Sequence, residues 1–146
     1  MGDEPITGDG STDSIEQLLE PWESSVGGIP VSRLLPSREL ARVGAVAELE
    51  RIGPMHMDAG AGLQLGPSPR LGVATLTYPI QGEIVHRDSL GVEQLLTPGE
   101  VTLVVAGKGL TISERSTTEV VEQGGVLDGV RLTLLLPEAQ ADCAPR

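Results

Sequence analysis

Few side chains in this 146-residue sequence are placed to do chemistry, and most of those are hydrogen-bond donors. Tyr78, Arg70 and Trp22 are the candidate catalytic residues. Each can donate to a carbonyl oxygen and stabilise the charge that gathers there in a transition state. Tyr78 carries most weight, because a phenol on an otherwise apolar strand is costly to bury without a partner. Met55, His56 and Met57 follow one another in a Gly-rich segment, where a methionine adapts to an irregular hydrocarbon surface and a histidine can touch a ligand. Other chemistries lack their residues. No Ser–His–acid set follows from spacing, and Cys143 stands near the carboxyl end. Gly107-Lys108-Gly109 has neither P-loop spacing nor a helix behind it. Dinucleotide and pyridoxal signatures are missing too.

Short β-prone runs, separated by Gly- and Pro-bearing turns at even spacing, must hold these residues; they predict an antiparallel barrel or sandwich. Strands are expected at Val31–Leu35, Leu71–Tyr78, Gly82–Arg87, Val92–Leu96, Val101–Val105, Leu110–Glu114, Thr118–Glu122 and Val130–Leu136, with a loop over Gly53–Gly62. Residues 1–12 read as a disordered acidic tail. Residues 13–30 read as a short helix and linker: Ser14 and Gln17 fit a capping box, Ile15, Leu18 and Leu19 share a face, and Pro21 ends the run. That helix is either a lid carrying Trp22 over the barrel mouth or an edge cover with Trp22 as packing.

The net charge of −11, with no Lys/Arg cluster, argues against nucleic acid and anionic membrane surfaces as partners. No apolar run approaches a bilayer span, and no secretory signal is visible. A single cysteine makes no internal disulfide, which fits a cytoplasmic protein. With Trp22 and Tyr78 as the two aromatics, the core must be built from aliphatic residues.

The runs Ser68-Pro69-Arg70-Leu71-Gly72-Val73-Ala74-Thr75-Leu76-Thr77-Tyr78, Gly82-Glu83-Ile84-Val85-His86-Arg87-Asp88-Ser89-Leu90-Gly91, Thr97-Pro98-Gly99-Glu100-Val101 and Ala106-Gly107-Lys108-Gly109 are together distinctive. They resemble the amino-terminal cupin domain of the pirin family over about residues 31–146. The resemblance implies an all-β fold, a single cupin (antiparallel barrel, jelly-roll-like) preceded by the short helix, and it favours a strand over Val43–Leu49 where propensity favours a helix. Pirins bind one metal through two His of a PHPH run and the His and Glu of an HSE run. Those positions here are Ser68, Arg70, Ile112 and Glu114, so three of the four ligands are replaced. The resemblance therefore implies no metal and no cofactor. It also suggests an Arg70–Glu114 ion pair in the metal's place and a structural duty for His86. A lone cupin leaves a sheet edge exposed, which suggests a homodimer.

If positions 68 and 70 face the barrel interior as in pirins, alternation carries Ala74, Leu76 and Tyr78 inward, and Leu110, Ile112 and Glu114 share the inner face of their strand. The implied pocket holds a hydrophobic small molecule against Met55, His56, Met57, Ser68, Ala74, Leu76, Leu110, Ile112 and Glu114. A metal-free barrel of this kind is similar in type to the small cupin-like pericyclases of polyketide pathways. It suggests a cofactor-independent [4+2] or [6+4] cyclase that orients a polyene. The alternative is a non-catalytic, metal-free pirin-like module that binds a ligand or a protein. Metal-dependent quercetinase-like dioxygenase chemistry is the least favoured.

Overall fold

The computed structural model describes residues 17–26 and 29–146. The chain is all-β, with ten strands among the described residues: β1 (Trp22–Val26), β2 (Ile29–Leu35), β3 (Val46–Met57), β4 (Gln64–Arg70), β5 (Val73–Gln81), β6 (Ile84–Asp88), β7 (Glu93–Leu96), β8 (Thr102–Val105), β9 (Leu110–Arg115) and β10 (Gly125–Leu135). A six-stranded sheet runs β1-β2-β3-β10-β5-β8 and a four-stranded sheet runs β4-β9-β6-β7. All pairings between these strands are antiparallel. Among the described residues no helix is long and apolar enough to cross a membrane.

In the middle of the larger sheet the two faces are inverted in character. On the outer face one cross-strand row reads Leu49, Leu132, Leu76 and Leu103. The adjacent row, one residue along each strand, faces inward and reads Arg33, Glu50, Arg131 and Thr77. Thr133 and Thr75 follow two residues on, and both are buried. Alternation along β10 thus puts Arg131 and Thr133 inside and leaves Leu132 and Leu134 outside. Polar side chains tolerate this interior because they satisfy one another, as where the Thr133 hydroxyl donates to Glu48 Oε2 at 2.7 Å. Buried apolar side chains gather in a cluster that includes Val31, Ile52, Leu63, Ile84, Leu96 and Leu127, and in a smaller one of Ala106, Leu110 and Ile112.

Several local expectations are corrected. The loop expected at Gly53–Gly62 is half strand, because β3 continues through Met57. It passes Gly53 at φ +84°, where a Cβ would stand 2.1 Å from the Leu127 carbonyl oxygen, so only glycine fits. Thr118–Glu122 is not a strand but part of helix α1 (Thr118–Gln123). Its β-branched residues mislead. Thr117 caps the helix by accepting from the Val120 amide, and Gly124 ends it. Gln64–Arg70 is a strand despite Pro67 and Pro69, which a sheet edge accommodates. The helix expected within residues 13–30 falls partly outside the described residues; residues 17–21 have no regular structure, and β1 begins at Trp22.

The inward alternation expected to run from Ser68 to Tyr78 breaks at Leu71–Gly72. There the chain leaves the four-stranded sheet and enters the six-stranded one, through Gly72 at φ +67°. Parity restarts on β5, so Thr75 and Thr77 face inward and Leu76 and Tyr78 outward.

Candidate functional site

A narrow cleft of about 140 Å³ opens between the sheets. Its walls include Ser68 and Arg70 from β4, Ile112 and Glu114 from β9, and Arg131 from β10. β4 and β9 run antiparallel with Ser68 opposite Ile112 and Arg70 opposite Leu110, which sets these side chains close together.

A chain of charges crosses the interior behind this cleft. Arg131 Nη2 donates to Glu114 Oε2, and Arg131 Nη1 lies 3.9 Å from Glu50 Oε1. Glu50 Oε2 accepts in turn from Arg33 Nη2 at 2.8 Å and from Arg33 Nε at 3.3 Å. The side chains of Arg131, Glu50 and Glu114 are 5%, 6% and 4% exposed, so water screens them little. The Arg33 guanidinium sits 5.4 Å from the centre of the Trp22 ring, whose Nε1 donates to the Pro36 carbonyl. Two groups in this region lack partners: the Nε atoms of Arg70 and Arg131 are buried, and neither finds an acceptor among the described residues. Asp128, at the bulge of β10, is bound by Arg51 through two hydrogen bonds of 2.9 and 2.8 Å. That pairing holds the Asp128 carboxyl below its usual range, and Arg51 rises in return.

The cleft unites some of the expected residues and scatters others. Ser68, Arg70, Ile112 and Glu114 line it together. Leu110 is buried beside Ile112 in the smaller apolar cluster. The expected Arg70–Glu114 pair is not formed: Glu114 pairs with Arg131, which reaches it from the opposite sheet. Tyr78 stands on the outer face, 37% exposed, and Leu76 lies on that face as well. Trp22 stands on the edge strand β1, opposite Arg33, rather than over the cleft as a lid. Ala74 is buried on β5 away from the cleft, Met55 and Met57 pack against the larger apolar cluster, and His56 is exposed on β3. The catalytic set of Tyr78, Arg70 and Trp22 is therefore not brought to one place.

The pirin family profile matches residues 28–132. The chain belongs to the pirin family. A Pseudomonas aeruginosa pirin relative, whose name proposes quercetin 2,3-dioxygenase activity, is 44% identical over 119 residues, 82% of this chain and 36% of its own length. A pirin-like protein of Caulobacter vibrioides is 35% identical over 125 residues, 84% of this chain and 43% of its own. The crystal structure of an Acinetobacter baumannii quercetin 2,3-dioxygenase superposes with a TM-score of 0.80 at 32% identity, over 86% of this chain and 41% of that one. The cupin fold follows. The chain spans about two fifths of the length of these relatives.

The pirin metal site can now be tested against the residues present. Ser68, Arg70 and Ile112 offer no metal-binding donor of the usual kind, and Glu114 is engaged by a guanidinium. His86 is buried and pairs in register with Glu114, but its Nε2 lies 3.4 Å from Asp88 Oδ2. Asp88 Oδ1 accepts from the Leu90 and Val92 amides, so this pair shapes the turn after β6. Among the described residues no three His, Cys, Asp or Glu side chains converge. The donor set does not fit a metal. Sequence reasoning missed Arg131, the residue that answers Glu114. The signal was available: it is the one charged residue in the run Val130–Leu136, in step with Thr133 and out of step with Leu132 and Leu134.

Proposed function

We propose that this pirin-family cupin is a metal-independent binding module that takes a small polar ligand in the cleft between β4, β9 and β10. The observation that carries this is the Arg131–Glu114 pair. Glu114 is the one ligand position that the pirin pattern and this chain share, and a fixed guanidinium takes up its charge. An ion pair needs no exogenous cation, and the link to Glu50 and Arg33 makes it part of the fold.

Two other readings are weaker on geometry. A cyclase for a polyene needs a pocket of roughly 300–1,000 Å³. The cleft is about 140 Å³, and Tyr78 and Trp22 stand outside it. Dioxygenase chemistry, named for the relatives, requires a metal that these side chains do not hold. The test is oxygen uptake with quercetin by the full chain after incubation with Fe(II), Ni(II) or Mn(II). The expected rate equals that of metal without protein. Uptake above that control, abolished by Glu114→Ala, would overturn the reading.

A further inference from the structure

Arg70 and Arg131 supply the only buried side-chain nitrogens or oxygens without a partner among the described residues, and both side chains line the same cleft. A buried guanidinium N–H without an acceptor costs free energy, and such groups in a native fold call for an explanation. Both residues stand in the wall of one cleft, where an acceptor from outside the chain can enter. Glu114 is already engaged by Arg131, so the charged walls, Arg70, Arg131 and Glu114, sum to one excess positive charge. None of the ion pairs among the described residues includes Arg70. In a chain of net charge −11 this is a local cation with an unmet donor.

We infer that Arg70 is the anchor of a binding site for a short monocarboxylate. A guanidinium meets a carboxylate through its planar fork, giving two parallel charge-assisted hydrogen bonds. Ser68, on the same strand, adds a hydroxyl, and Ile112 offers an apolar wall for a short hydrocarbon tail. The volume of about 140 Å³ is close to that of an engineered protein cavity of about 150 Å³ that takes benzene, so the ligand has about six non-hydrogen atoms, the size of butyrate. This inference rests on the metal-independent reading of the same cleft.

The experiment is an NMR titration of the full chain, following the arginine Nε–H resonances, with sodium butyrate, inorganic phosphate and Ni(II) as separate probes. Saturable movement of the Arg70 and Arg131 resonances with butyrate, with the affinity read at Arg131 weakened at least tenfold by Arg70→Met, is the expected result. Arg70→Lys keeps the charge and lacks the fork, so it should also weaken binding, and it serves if Arg70→Met does not fold. No saturable response to butyrate, an equal response in the variants, or tighter binding of phosphate than of butyrate would each overturn the carboxylate site. Ni(II) binding in the cleft would instead bring down the metal-independent reading. Silence to all three probes would defeat the carboxylate site alone.

Discussion

Replacing Arg131 with methionine removes a guanidinium that is 5% exposed and leaves the Glu114 carboxylate, 4% exposed, without its partner. Glu50 keeps Arg33, so the loss falls on Glu114. Stripping one member from a buried ion pair costs about 3–5 kcal/mol, because the remaining charge is desolvated and uncompensated. For a chain of this size each kcal/mol moves the melting temperature by about 2–4 °C, so Arg131→Met should lower it by roughly 6–20 °C. Adding Glu114→Leu removes the stranded charge and should restore most of the loss, since two apolar residues in place of a buried pair are often neutral. Urea denaturation of the four proteins in the cycle at pH 7 gives the coupling energy directly, with roughly 2–3 kcal/mol expected. A cost below about 1 kcal/mol for Arg131→Met, or simple additivity in the double variant, would refute the claim that this pair anchors the barrel interior.

Two further outcomes follow from the geometry. The Asp128 carboxyl is held below its ordinary value of 3.8, chiefly by its hydrogen bonds to Arg51, so its stabilisation is complete above that value and is lost as pH falls through the lower folded value. Melting curves from pH 7 down to pH 2 should therefore fall more steeply below about pH 4 for the natural chain than for Asp128→Asn; parallel curves would count against the pairing. Gly53→Ala forces a Cβ to within 2.1 Å of the Leu127 carbonyl oxygen at φ +84°, and should destabilise by on the order of 2–3 kcal/mol in denaturant, whereas an unchanged midpoint would mean that β3 does not pass β10 this closely.

The strand pattern and the barrel class were legible because apolar runs and Gly/Pro turns recur along the chain, and β9 reads directly: Leu110, Ile112 and Glu114 share its buried face. The replaced ligand positions were legible too, and Ser68, Arg70, Ile112 and Glu114 do meet in one cleft. What failed was long-range. Parity cannot be carried through a turn that switches sheets, so the crossing at Leu71–Gly72 turned Tyr78 and Leu76 outward. A polar patch in the barrel interior defeats the assumption that leucines face inward: beyond the bulge of β10, Leu132 and Leu134 face out and Arg131 faces in, whereas Leu127, before the bulge, is buried in the apolar cluster. Glu114 finds its partner 17 residues along the chain and in the other sheet, where local pattern carries no information about pairing.

If a guanidinium stands where pirins hold a metal, calorimetric titration of the chelator-treated chain with Ni(II) and Fe(II) has a defined outcome. One-to-one binding should be absent, with the same flat heats for the natural chain and for Glu114→Gln. Stoichiometric binding that disappears in Glu114→Gln would contradict that placement and return Glu114 to the role of a metal ligand.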